Sequence, residues 1–440
     1  MDRMNPLDAS FIHVEDDNNP MHIGSVVVLE GPPPTYGDMV RLIAGKLALV
    51  PRYRQKVREV PFGLGRPVWV DDPHFQILYH IRHTAVPSPG SEEQLRNLAG
   101  RVFAQLLDRR KPLWEMWVVE GLEGGRWALI SKVHHAMVDG MAGTDLMTVL
   151  LDSRRDTEPM PAAPPVAASE PSDLHLVADA LADAIVSPLD RVTGLRVVAR
   201  AGLPTLPELV ENLRGLAGTW LQPAATSLNG PIGPHRRWSW AKAELADVKL
   251  VREGLGGTVN DVILAAITAG FRALLLARGE RVEGRVVRTL VPVSMRARDE
   301  RGVLDNQVSG LFPGLPVGVA DPVERLRLVR SQMEDLKRSR VAVGGDALVK
   351  MGGFAPEMLL ALGARLGTRA PQRAVQTVTT NVPGPQVPLY AAGRQLLEAY
   401  PYVPIAGNVR IAIAIFSYIG RLKFGVTGDY DTSPYIDVLC

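Results

Sequence analysis

The sequence predicts an α/β protein with two sheet-bearing halves. Three observations point there. β-branched apolar runs and helical-period stretches mix along all 440 residues. A proline-rich segment, Asp152 to Asp173, breaks the pattern. The chain is also 46% hydrophobic, enough to fill more than one core.

Residues 6 to 24 read as a loop with a short helix, and Gly24 to Leu29 as a β-branched strand that Pro32-Pro33-Pro34 ends. Met39, Val40, Leu42, Ile43 and Leu47 recur at helical spacing, so a helix ends near Pro51. Pro51 to Lys56 is a basic turn, either a solvated surface or part of a tunnel mouth for an anionic carrier. Trp69-Val70 and Phe75 to Ile81 read as strands around Asp71-Asp72-Pro73, with His74, His80 and His83 as structural or surface residues. Glu92 to Leu107 is an amphipathic helix striped by Leu95, Leu98, Val102 and Leu106. Pro112 then leads a strand to Val119, in which Trp114 offers a large flat apolar surface suited to a core or to the wall of an apolar channel. Trp127 to Ile130 is a buried strand, and Asp145 to Leu151 an amphipathic helix.

The Asp152–Asp173 stretch is a semi-rigid linker, because proline restricts the backbone. Leu174 to Ala225 looks mainly helical. Its Arg-rich piece from Asp190 to Arg200 is either a lipid-surface helix or a crossover between domains. Domain limits follow: 1–151, then a linker and crossover over 152–225, then 226–440. Ser227 to Gly233 is turn-rich. Thr258 followed by Asp261 resembles a capping box with aspartate in place of glutamate, so a helix begins there with Asn260 at its second position. Val286 to Ser294 and Leu311-Phe312 are strands, while Pro322 to Arg338 and Asp346 to Leu366 are helices. Thr377 to Pro385 is a strand breaking at a turn, Val409 to Tyr418 a central strand, and Leu422 to Gly428 another. Thr432 to Leu439 closes as a short helix.

Composition excludes several functions. Forty-nine basic and 47 acidic residues leave a net charge of +2, which argues against nucleic acid, even for the basic and aromatic run His235 to Trp240. The single cysteine, Cys440, permits no internal disulfide and suits a reducing compartment. The N-terminus shows no secretory pattern, and no apolar run of 18 residues is expected, the best being Val409 to Ile419. The expectation is a soluble or peripheral protein.

The chain is organised around Ser131 to Gly140, where His134 and His135 close the buried strand and Asp139-Gly140 follow. Neighbouring strand residues point to opposite faces, so one imidazole can meet a reactant while the other packs. That suits a lone general base. Zinc does not fit: the His-Glu-x-x-His spacing is missing and no second ligand cluster completes a site, so no metal is expected. No Gly-x-Ser-x-Gly elbow supplies a nucleophile. Asn260, at a helix start, is placed to meet a developing negative charge or simply to start the helix.

His134-His135-x-x-x-Asp139-Gly140 after a buried strand resembles the CoA-dependent acyltransferase superfamily. Asn5 to Phe11, Pro20 to Gly24, Pro112-Leu113-Trp114, Ser227 to Gly233, Thr258 to Val262 and Pro292 to Arg296 narrow this to the bacterial wax ester synthase/diacylglycerol acyltransferases, over residues 5 to about 437. The resemblance implies a two-domain chloramphenicol acetyltransferase-like fold, each half a mixed sheet flanked by helices, with the active site in a channel between them. It implies direct acyl transfer from long-chain acyl-CoA to diacylglycerol or a long-chain alcohol, with His135 as base, His134 in support and no acyl-enzyme. Asp139 would be a structural ion-pair partner, with Arg296 as its nominated cation; Gly140, Asp261 and Trp114 would support the site. Acyl-CoA is then a co-substrate and no cofactor is needed. The protein would be cytoplasmic and peripheral to the inner face of the membrane or to lipid droplets. A carrier-protein-dependent condensation or polyketide-associated acyltransferase, and a non-enzymatic lipid-binding protein on the same fold, are the alternatives.

Overall fold

A computed structural model describes residues 2–138, 149–157, 160–161, 170–180, 182, 226–294, 308–338 and 375–440. The Asp190–Arg200 piece, the expected helix at 346–366 and residues 158–159 and 162–169 of the linker lie outside the described residues, as do Asp139, Gly140 and Arg296.

A six-stranded sheet dominates the first half. Its strands run β13 (Tyr390–Ala391), β14 (Arg394–Tyr402), β2 (His22–Leu29), β7 (Trp127–His134), β6 (Trp114–Glu120) and β5 (Ile81–Ala85). All eight residues of β7 are buried, so the apolar run Trp127 to Ile130 shows no alternation, and Ser131, Lys132 and His134 are buried with it. On β2, Val27 and Leu29 enter one core with the helices Pro6–Val14 and Tyr36–Lys46. Val26 and Val28 face the helix Glu92–Ala104 on the other side. Both faces are therefore covered.

The second half carries a seven-stranded sheet, ordered β10 (Val308–Leu311), β9 (Val287–Ser294), β12 (Thr377–Val382), β15 (Ile411–Tyr418), β16 (Arg421–Asp429) and β8 (Arg236–Glu244), with β11 (Gly314–Leu315) on β9. The helix Val259–Ala277 packs on it. Sequence reading expected no apolar run long enough to cross a membrane, yet this 19-residue helix, at mean hydropathy 1.7, is one. Ten of its residues, among them Ile263, Phe271 and Leu274, are buried, in a core shared with β9, β15 and β16, so it serves as a core helix.

Chain halves and sheets do not coincide. β13 and β14 belong to the C-terminal segment of the chain but pair into the first sheet, with Tyr400 opposite Val26. The sequence reading assigns neither strand, and β14 carries Pro401, a residue that is unusual within a strand. β14 also packs on β15 and β16 of the second sheet. There a Cβ on Gly425 would sit 1.7 Å from the Pro401 carbonyl oxygen, so only glycine allows the approach. Beside it Lys423, 2% exposed, bonds Glu398 at 2.9 Å, and Tyr400 donates to the same carboxylate at 2.7 Å. Within the run His235 to Trp240, His235 is exposed, but Trp238 and Trp240 are core between the halves: Trp238 meets Phe103 edge-on at 5.4 Å and Trp240 stacks on Tyr400 at 4.2 Å.

Two expectations change. Phe75 to Ile81 is not a strand: Ile77–His80 is one helical turn capped by Gln76, and β5 starts only at Ile81. The closing helix is Ile436–Leu439 alone, because the Asp429 carboxylate takes the Thr432 N–H and hydroxyl and holds a turn there. A three-stranded sheet, β1 (Asp2–Arg3), β4 (Val68–Asp71) and β3 (Gln55–Arg58), lies to one side.

Candidate active site

β7 delivers the histidines and stops between them. His134 is its last residue, paired in register with His22; His135 opens a single 3₁₀ turn through Met137. The flanking chains fix this point through their main-chain groups. The His134 N–H donates to the Leu113 carbonyl at 2.9 Å, and the His135 N–H to the Met21 carbonyl at 2.8 Å. Leu113 belongs to Pro112-Leu113-Trp114, and Met21 to Pro20 to Gly24, so two motifs distant in sequence meet at the histidine turn. Gly24 allows the packing above it, since a Cβ there would lie 2.4 Å from the Ser131 carbonyl oxygen and 2.6 Å from the Phe103 ring.

His134 is completely buried. Its Nδ1 accepts the Ala136 N–H at 3.1 Å, which leaves the ring proton on Nε2. Nε2 faces the Glu15 carboxylate at 3.5 Å, long for a hydrogen bond but close enough for strong attraction in a dry site. Glu15 also accepts the Met21 N–H at 3.0 Å and Arg109 Nε at 3.1 Å. Burial alone would raise its pKa; His134, the Met21 N–H and Arg109 outweigh burial and bring it to about 2. Glu15 is therefore ionised and holds His134, and through it the Ala136 N–H, in one geometry.

His135 turns elsewhere. Its ring is partly exposed and stacks on Phe11, centroids 4.0 Å apart. Nδ1 is buried with no hydrogen-bond partner. Burial, helped by the adjacent His134 and partly offset by its own backbone, lowers its pKa to about 4. The imidazole is neutral at physiological pH and able to accept a proton. Phe11, in the helix Pro6–Val14, and Glu15, the extended residue that caps the helix by donating its N–H to the Phe11 carbonyl at 3.2 Å, serve the two histidines from adjoining positions. Asn5 starts that helix by accepting the Asp8 N–H at 2.8 Å, with Pro6 at its first position.

The remaining candidates fall at different distances from this centre. Trp114 is core: 1% exposed, its Nε1 donates to the Tyr53 carbonyl at 2.8 Å and its ring stacks on His80 at 4.5 Å. Asp261 is the capping residue, accepting the Thr258 N–H at 2.7 Å while its own N–H donates to Thr258 Oγ1 at 3.2 Å. Asn260 is half-buried beside it and accepts from Asn381 Nδ2, at the end of β12, at 3.3 Å. The interactions above do not join it to either histidine. Among the described residues no cluster of His, Cys, Asp and Glu side chains is suited to a metal ion. Sequence reasoning missed Glu15, Phe11 and the carbonyls of Met21 and Leu113. Three of these lie in motifs it had singled out; Glu15, just past a helix end, carries no local signal.

Comparison with known proteins gives the family and the fold. Residues 4–263 match the wax ester synthase/diacylglycerol acyltransferase catalytic domain, and 304–440 the C-terminal domain of the same proteins. A Mycobacterium tuberculosis chain named as a diacylglycerol O-acyltransferase is 39% identical, covering 98% of this chain and 92% of its own length. The solved structure of a wax ester synthase/diacylglycerol acyltransferase from Marinobacter aquaeolei superposes with a TM-score of 0.67 at 26% identity, over 99% of this chain and 96% of that one. The first condensation domain of a calcium-dependent antibiotic synthetase shares the fold, with a TM-score of 0.58 at 17% identity over 100% and 95% of the two chains.

Proposed function

We propose, from the premise that this chain belongs to the wax ester synthase/diacylglycerol acyltransferase family, that it moves a long-chain acyl group from CoA to the hydroxyl of diacylglycerol, and also to long-chain alcohols, with His135 as general base. The acceptor oxygen attacks the thioester carbon as a ring nitrogen of His135 takes the hydroxyl proton. The C–O bond forms, the C–S bond breaks, and the proton passes to the departing thiolate, giving ester and free CoA. Atoms and charge balance without a further cofactor. A positioned imidazole contributes about 10²–10⁴-fold in such a step.

The observation that carries this reading is a neutral, partly exposed His135 beside a buried, carboxylate-anchored His134. Their division of labour follows from the strand ending between them. Asn260, in the first turn of a 19-residue helix, supports the carbonyl oxygen as it becomes an anion. No serine or cysteine nucleophile is invoked, so attack occurs in a ternary complex. We place the enzyme in the cytoplasm, at the periphery of the membrane or of lipid droplets, where its apolar acceptor resides.

The test is His135→Ala assayed by release of free thiol from palmitoyl-CoA in the presence of diacylglycerol. Loss of about two orders of magnitude or more is expected. Turnover within a few-fold of wild type, or an acyl group found covalently on the chain during turnover, would refute it.

A further inference from the structure

We propose that Asn381 is a positioning residue for acyl transfer: by donating to Asn260 Oδ1 it sets which end of the Asn260 amide faces the reacting carbonyl. The assignment rests on the oxyanion role proposed for Asn260 above. Asn381 Nδ2 lies 3.3 Å from Asn260 Oδ1, a contact between residues 121 positions apart. An amide whose oxygen is engaged in this way has the two N–H bonds of its Nδ2 left to donate elsewhere. An oxyanion needs donors already aimed at it, and an Asn260 amide turned end for end would offer its oxygen instead, which repels the developing charge. Accepting a bond also polarises the amide and strengthens its own N–H donors, by about 10–30%.

The strand delivers Asn381 to this contact. Thr377, Thr379 and Asn381 alternate along β12 and so share one face. They pair in register with Ile411, Ile413 and Ile415, which share a core with Ile263 of the helix Val259–Ala277, so this face looks onto that helix. The two threonines are buried and their hydroxyls are used: Thr377 donates to the Ile411 carbonyl at 2.8 Å, and Thr379 takes the Thr289 hydroxyl at 2.8 Å. Asn381 is the next member of that polar row and the first outside the core, exposed at the strand end beside the start of the helix. On the other side of the contact, the Thr258–Asp261 capping box fixes the turn on which Asn260 sits. The chain leaving β12 is held as well. The Gly384 N–H donates to Ser417 Oγ at 3.0 Å, and Gln386 Oε1 accepts the Gly420 N–H at 2.8 Å.

The end of β12 is also the end of the second sheet that meets the core of the histidines. Val382, the residue after Asn381, lies opposite Phe416 on β15, and Phe416 packs against the first-half core that also holds Ala136, Met137 and Val138 of the histidine turn. Asn381 and Val382 are exposed there, so a substrate can reach this corner.

The experiment is steady-state thiol release from palmitoyl-CoA with diacylglycerol, for the full chain carrying Asn381→Ala, Asn381→Asp, Asn260→Ala or either substitution of Asn381 together with Asn260→Ala. Asn381→Ala should lower kcat about tenfold and Asn381→Asp about 10²-fold, each with little change in KM. Thermal midpoints should stay at the wild-type value, because Asn381 is exposed. A carboxylate keeps the shape but can only accept, so it draws Nδ2 of Asn260 round and leaves the amide oxygen towards the reacting centre. With Asn260→Ala in place, either substitution of Asn381 should cost less than about twofold, because no amide is left to turn. Wild-type kcat in both Asn381 variants overturns the proposal. So does Asn381→Asp with a kcat at or above that of Asn381→Ala, which would make Asn381 the acceptor of the pair. Losses that persist undiminished beside Asn260→Ala overturn it too, since they would come from charge or fold alone. Asn260→Ala with wild-type kcat removes the oxyanion role and the positioning role with it. Asn260→Ala that lowers kcat while the Asn381 variants do not removes only the positioning role.

Discussion

Glu15→Gln tests the electrostatic anchor of the active turn. The wild-type carboxylate is 2% exposed and faces His134, Arg109 and the Met21 N–H at once. Glutamine keeps the shape and one acceptor, but sets an uncharged amide against Arg109 and the Nε2–H of His134. The wild-type pKa falls from 4.5 to about 2 on folding, and at about 1.4 kcal/mol per pH unit this corresponds to about 3 kcal/mol. The native state binds this proton less tightly than the unfolded chain. The stabilisation is therefore fully present above pH 4.5 and is lost as pH falls towards 2. Urea unfolding should show the variant less stable by about 3 kcal/mol at pH 7, with the gap to wild type narrowing below pH 4.5. Thiol release should fall about ten- to a hundredfold, in kcat more than in KM, because the turn that aims His135 loses its anchor. A variant with the wild-type urea midpoint at pH 7, or with a gap that does not change between neutral and acid pH, would refute the reasoning.

Three further outcomes are expected. With His135 lowered from 6.5 to about 4, kcat/KM against pH should stay level down to about pH 5 and then decline, and a midpoint near 6.5 would contradict a buried neutral base. Asn260→Ala should lower kcat by about 10²-fold with little change in KM, read by steady-state thiol release, and unchanged kcat would remove it from the reaction. Gly425→Ala places a methyl group 1.7 Å from the Pro401 carbonyl oxygen and should cost about 3 kcal/mol in thermal unfolding, because the clash lies where β14 crosses from one sheet to pack on the other.

Much of this molecule was legible along the chain, because much of it is set by local chemistry. The Thr258–Asp261 capping box, the limits of Pro322–Arg338, the buried run at Trp127 and the β-prone run that became β15 each depend on neighbours a few residues away. The His-His pair was legible too, because a strand's period of two and its ending decide which imidazole packs. Tertiary structure decided the rest. Nothing near Pro401 in sequence reveals that β14 completes the first sheet, since its partner strand β2 lies more than 350 residues earlier. Nothing near Glu15 reveals a charge held for His134, since that contact spans 119 positions and exists only once the helix Pro6–Val14 has docked. Local patterns determine which elements form. Which carboxylate is dry, and which histidine stays neutral and open, depends on the burial that distant segments create together.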